Sequence, residues 1–285
     1  MMNIPNSPTS LIDAPLGKVS ANPDQYSPEI LFPIPRSENR QSLGLVDPEK
    51  LPFFGIDIWN AYELSWLGLS GKPEIAIAQI QVPAQSPFIV ESKSIKLYLN
   101  SLNHARYDSM STVEKIISED LSKAAGATVS VKLQGPETWS KLKFQEFEGK
   151  LLDRLNIEID PNQGPDKTWL HAQEDESPVE EVLISNLLRS NCPVTGQPDW
   201  ASIQIHYVGP EINEESLLRY LISFRQHQEF HEHCVEKIFC DIKSMCKPSK
   251  LSVYARYTRR GGIDINPFRT DFNAPWPNNL RQARQ

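Results

Sequence analysis

Four short stretches carry side chains that could do chemistry. In SNCPVTGQPD, 190–199, Cys192 stands before a turn-forming run, and Asp199 follows seven residues later, where an alternating segment begins. A thiol near its free pKa of ~8.5 is mostly protonated at neutral pH, and the thiolate is the nucleophile. A partly desolvated carboxylate beside it could take the thiol proton and return it later as a general acid. The competing reading is a small buried apolar residue beside a surface turn. In HQEFHEHC, 227–234, His227 and His231 are four apart, and with His233 and Cys234 they resemble metal ligands. The HExxH spacing of zinc proteases is absent, and HEH sends adjacent side chains to diverging faces. Alternatively, His231 and Glu232 open a helix and face a pocket, where the carboxylate would accept bonds from a ring N–H and an exocyclic amine. A solvated helix start is the plain third option. YTRRGGIDINP, 257–267, sets Arg259 and Arg260 before Gly261 and Gly262, suited to phosphate or to a basic surface turn. ESKSIKLY, 91–98, adds the cation Lys93.

The composition narrows what these stretches can serve. The chain has 285 residues, 39% of them hydrophobic and 23% charged, with a formal net charge of −7. It can bury a core, and its acidity disfavours direct contact with nucleic-acid backbone. No apolar run approaches the ~20 residues that span a bilayer. Residues 1–20 show no charged region followed by an apolar one, so no secretion signal is expected. With four cysteines and no CxxC, the expectation is a cytoplasmic chain with reduced thiols, without membrane or nucleic-acid partners. No GxGxxG occurs, so a dinucleotide would bind by another route than the Rossmann turn.

Positioning falls to two related segments. Residues 1–50 are proline-rich and read as an irregular arm, and residues 134–175 read as a connector ending at the acidic run at 174–176. Val113-Glu114-Lys115-Ile116 recurs as Val235-Glu236-Lys237-Ile238, an offset of 122, which Ser130-Val131 and Ser252-Val253 share. Ser94, Tyr98, Leu99 and Ser101 match Ser216, Tyr220, Leu221 and Ser223 at the same offset. Gly71-Lys72-Pro73-Glu74 matches Gly196-Gln197-Pro198-Asp199 at 125, which sets Leu67 opposite Cys192. Matches in order with one gap indicate an internal duplication. Each copy reads strand, strand, helix, helix, strand. Ile203, Ile205 and Tyr207, then Leu251, Val253, Ala255 and Tyr257, alternate as strands. Leu217, Leu218, Leu221 and Ile222 mark one helix face, and Val235, Ile238, Phe239, Ile242 and Met245 another. The expected class is α+β, with antiparallel sheets carrying paired helices on one face. The boundaries are an arm at 1–50, a first module at 51–133, a connector at 134–175 and a second module at 176–285.

Taken together, ESKSIKLY, SNCPVTGQPD, FHE at 230–232 and YTRRGGIDINP resemble the NADPH-dependent 7-cyano-7-deazaguanine reductases, in that family's order. PRSENR at 35–40 and Leu43-Gly44-Leu45 fit as well. The resemblance implies tandem tunnelling-fold modules, a homodimer, a deazapurine substrate and NADPH as cofactor. It implies Cys192 as the nucleophile that gives a covalent thioimide, and Asp199 as the acid. It assigns His231 and Glu232 to the deazaguanine ring, with Val90, Glu91 and Ser92 completing substrate binding. Ser92, Lys93, Arg260 and Gly261 would contact NADPH, and no metal is called for. The product would feed queuosine, a tRNA modification. Two other classes compete: a zinc-dependent cyclohydrolase or pterin-type enzyme of the same fold, using His227, His231 or His233 with a cysteine, and a catalytically silent purine-binding module.

Overall fold

The computed structural model describes residues 23–160, 162–173 and 177–285. The reading of residues 1–20, the first part of the arm and the acidic run at 174–176 lie outside the described residues. The chain forms two compact units, each discontinuous in sequence. Among the described residues, no helix is long and apolar enough to cross a membrane.

Unit 1 takes the described part of Met1–Pro48, Asn60–Trp139 and Gly261–Ile263. Its elements are β1 (Pro33–Pro35), α1 (Arg36–Ser42), the later part of β2 (Phe54–Leu67), β3 (Pro73–Pro83), β4 (Phe88–Val90), α2 (Ser92–Ser101), α3 (Met110–Ala125), β5 (Ser130–Gln134) and α4 (Pro136–Trp139). β3 lies between β2 and β5, antiparallel to β5, and buries Ala76, Ala78, Ile80 and Val82 at every second residue. α3 buries Val113, Ile117, Leu121 and Ala125, a stripe of spacing four that packs on β5 and β4. Each fully buried aliphatic side chain there is worth about 1.5–3 kcal/mol. Ser109 caps the start of α3, and Gly126, at φ +69°, ends it. Tyr98 Oη donates to Asp120 Oδ2 at 2.6 Å and so ties α2 to α3. The arm is anchored at the start of α2: Glu91 N–H donates to Phe32 O, and Phe32 N–H to Ser94 Oγ.

Unit 2 takes Glu49–Trp59, the described part of Ser140–Arg260, and Asp264–Gln285. It adds β6 (Lys150–Leu151), β7 (Ala172–Gln173), β8 (Val179–Ser185), β9 (Arg189–Asn191), β10 (Pro198–Gly209), β11 (Glu211–Ile212), α5 (Glu214–Ser223), α6 (His231–Cys246), β12 (Lys250–Tyr257) and β13 (Ile263–Thr270). The strands run β13, β12, β10, β8, β6, with β9 also on β10 and the Phe54–Trp59 part of β2 beside β13. All the registered pairs are antiparallel except β6 with β8. α6 packs on β12. Tyr220 Oη donates to Asp241 Oδ2 at 2.6 Å and ties α5 to α6, the same bond at the same distance as Tyr98 to Asp120.

The duplication is thus structural, with two adjustments to the sequence reading. The α3 and α6 ends, their tyrosine-bound aspartates and their left-handed C-caps Gly126 and Lys247 correspond at an offset of 121. Val113 therefore matches buried Cys234, and Ile117 matches Ile238. The string VEKI, spaced by 122, is a one-residue misalignment between helices. The strands do keep the longer spacing: Val131 pairs with Ile80 as Val253 pairs with Ile205. The second adjustment concerns β12, read from the alternation of Leu251, Val253, Ala255 and Tyr257. Every residue from Leu251 to Tyr257 is buried, because the C-terminal segment covers the second face. Arg256 donates to Gln285 Oε1, and Gln285 Nε2 donates to Tyr257 O.

Candidate active site

The Cys192 turn is built by its ends. Cys192 N–H donates to Gln197 O at 2.8 Å, and Gly196 N–H donates to Cys192 O at 3.0 Å. Gly196 closes the turn at φ +66°, where a side chain is strained. Residues 194–198 of the turn are exposed, yet Cys192 itself is only 2% exposed. Burial pushes the thiol pKa up, but the Thr195 hydroxyl, the Thr195 and Val194 N–H groups and the Arg260 guanidinium together outweigh it. The net result lies below the ordinary thiol value. Two other cysteines behave differently: burial drives Cys234 far up and Cys246 up to about 12. All four cysteines lie among the described residues, and none of them is in a disulfide.

β9 and β10 bring the carboxylate in. Asp199 pairs in register with Ser190 and is 6% exposed. Its Oδ2 lies 3.3 Å from His231 Nε2, and its Oδ1 lies 3.1 Å from Arg260 Nη1. His231 is the first residue of α6, as the sequence suggested, and its ring lies flat on Tyr257, 3.8 Å between centroids and 8° between planes. Glu232 is buried in the same first turn. Cys192, Asp199, His231, Glu232 and Arg260 therefore belong to one unit. Val90, Glu91, Ser92, Lys93 and Gly261 belong to the other.

In unit 1, Glu91 caps α2: its Oε1 accepts from Lys93 N–H at 2.6 Å and its Oε2 from Ser94 N–H at 2.8 Å. Burial raises its pKa, partly offset by these bonds and by Ser92. Val90 is buried at the end of β4. Gly261 and Gly262, at φ +62° and +79°, line an open cleft with Ala61, Glu63, Lys96 and Asn100. A Cβ at Gly261 would stand 3.1 Å from Lys96 Nζ, and one at Gly262 only 2.4 Å from the Glu63 carboxyl carbon. The cleft thus depends on missing side chains, and its cation Lys96 lies 3.5 Å from the Glu63 carboxylate across it.

Among the described residues, no group of three or more His, Cys, Asp or Glu side chains could hold a metal. His231 faces Asp199, and His233 Nδ1 lies 3.4 Å from Glu229 Oε1, so the histidines of HQEFHEHC do not converge. Burial lowers the His227 pKa. Sequence reading missed Thr195 and Tyr257 as site residues. Both lie inside stretches already singled out, but the contact of a turn hydroxyl with sulfur, or of a strand ring with His231, has no spacing signature.

Two family descriptions match the chain: "Nitrile reductase, 7-cyano-7-deazaguanine-reductase N-term" over residues 22–133, and "QueF-like protein" over residues 198–275. Proteins named NADPH-dependent 7-cyano-7-deazaguanine reductase from Ralstonia nicotianae and Paraburkholderia phytofirmans are each 60% identical, and one from Cupriavidus metallidurans is 58% identical. Each alignment covers 95% of this chain and 98% of the relative.

Proposed function

From the premise that the chain belongs to the NADPH-dependent 7-cyano-7-deazaguanine reductases, we infer that it reduces the nitrile of 7-cyano-7-deazaguanine to the primary amine, with Cys192 as nucleophile and Asp199 as acid. The observation that supports this assignment is the buried thiol, held below its ordinary pKa and set in a turn whose next strand carries a buried carboxylate bound by His231 and Arg260. A thiolate is a soft nucleophile suited to a nitrile carbon. The sulfur lone pair forms the C–S bond. One carbon–nitrogen π pair moves to nitrogen, which takes the proton held by Asp199 and leaves a thioimide on Cys192. His231, fixed against Tyr257, orients that carboxylate. Glu232 accepts from the ring N–H and amine of the base. Val90, Glu91 and Ser92 serve the substrate in the same reading.

Ser92, Lys93, Arg260 and Gly261 would hold NADPH, which supplies the hydride equivalents of a four-electron reduction. The working form is taken to be a cytoplasmic homodimer whose product feeds queuosine in tRNA. The test is the intact mass of protein mixed with the nitrile and no dinucleotide. One adduct per active chain is expected, lost in Cys192→Ala. An adduct that persists in Cys192→Ala moves the nucleophile elsewhere and defeats the assignment.

A further inference from the structure

Arg260 does more at this site than the phosphate contact assigned to it. Its Nη1 lies 3.1 Å from Asp199 Oδ1 and 3.5 Å from Gln197 Oε1, and the backbone oxygen of Gln197 accepts the Cys192 N–H at 2.8 Å. The same guanidinium is the smallest of the influences that hold the Cys192 thiol below its ordinary pKa, after the Thr195 and Val194 donors. The charged and titratable groups around this pair are Arg260 after β12, Asp199 on β10 and His231 on α6, with the buried Cys234 on α6 and Tyr257 on β12, whose pKa values burial raises. Thr195 and the turn N–H groups add neutral donors.

We propose that Arg260 is a shared counter-ion for Cys192 and Asp199, a positioning residue for the addition step; this rests on the reading of Cys192 as nucleophile. When the S–H bond breaks, the electron pair stays on sulfur and the proton ends on Asp199. One negative charge leaves the carboxylate as another appears on sulfur. A cation facing both groups stays paired on either side of that transfer, so no charge separation opposes it. When the C–S bond forms, the displaced π pair goes to nitrogen, the proton follows from Asp199, and the charge returns to a carboxylate that still faces Arg260. A planar, permanently charged guanidinium can face two acceptors at once, which a single ammonium does less well.

The experiment measures the rate of iodoacetamide alkylation of Cys192 against pH, site-resolved by peptide mass. It uses the full chain without nitrile or dinucleotide, and compares it with Arg260→Gln and Arg260→Lys. Arg260→Gln is expected to move the inflection up by about one pH unit and to slow alkylation at pH 7 about tenfold. Arg260→Lys should recover part of that loss. With a side chain 37% exposed, Arg260 tolerates both changes without loss of the fold, and an unchanged melting temperature checks this. An Arg260→Gln profile that superposes on the parent, with only the KM for NADPH raised, overturns the proposal and leaves a phosphate ligand alone. If the unaltered enzyme forms no nitrile adduct while the alkylation shift is present, the nucleophile reading fails and the counter-ion relation stands.

Discussion

The two units close equivalent hairpins in different ways. In unit 1, Gly68 N–H donates to Lys72 O and Gly71 N–H to Gly68 O. In unit 2, Cys192 and Gly196 make the same two bonds to Gln197 and Cys192, with one more residue in the turn. The structural counterpart of Cys192 is therefore Gly68, not the Leu67 that a constant offset assigns. Leu67 instead matches Asn191: Leu67 bonds to Ala105 and Tyr107 as Asn191 bonds to His227 and Glu229. A Cβ at Gly68 would meet nothing nearer than 3.6 Å, so a side chain is tolerated there. What unit 1 lacks is the longer turn and its surroundings. Glu74, the counterpart of Asp199, pairs with exposed Lys72, while Asp199 is buried between Arg260 and His231. Buried Trp66 stands where unit 2 has buried Ser190. The shared scaffold thus differs at this hairpin by one turn residue, by Ser190 in place of Trp66, and by a second side chain on the carboxylate.

The comparison can be broken most severely in the core of unit 2. Arg269 donates to Asp57 at 2.7 Å and to Glu236 at 2.8 Å, and all three are essentially unexposed. Glu236 corresponds to Lys115 of unit 1, which is solvent-exposed. Arg269→Leu should lower unfolding free energy by about 3–5 kcal/mol, because it strands buried carboxylates. Lys115→Leu should stay within about 0.5 kcal/mol, both read by urea denaturation. Equal losses would mean that the two helices are held alike. Next in size, Asp199→Asn should cost about a hundredfold or more in NADPH-consuming turnover, whereas Glu74→Gln leaves turnover unchanged. A matching loss in Glu74→Gln would place chemistry in both hairpins.

The smallest effect concerns what the units share. Tyr98→Phe and Tyr220→Phe should each cost about 1–2 kcal/mol, since each removes one bond to a helix aspartate. Each aspartate keeps another partner, Tyr26 for Asp120 and Lys237 for Asp241, so the two losses should agree within about 1 kcal/mol. A loss in one variant alone would show that the twin bonds have drifted apart in function.

Local patterns in the sequence determined the elements. Strand alternation in β10, the helix stripes of α5 and α6, and the ordered recurrence of Ser94, Tyr98 and Ser101 as Ser216, Tyr220 and Ser223 are properties of short spacings, and the structure keeps them. The motif stretches were legible for the same reason, each being contiguous. Tertiary structure alone decided the register between copies, because a one-residue change in a turn leaves string matches intact while it shifts which residues share a place. It alone decided that the second face of β12 is covered, since the covering Gln285 lies 28 residues from Tyr257. It also decided the state of the thiol: burial opposes the charge, donors from Thr195, Val194 and Arg260 favour it, and that balance is set by three-dimensional neighbours that no spacing encodes.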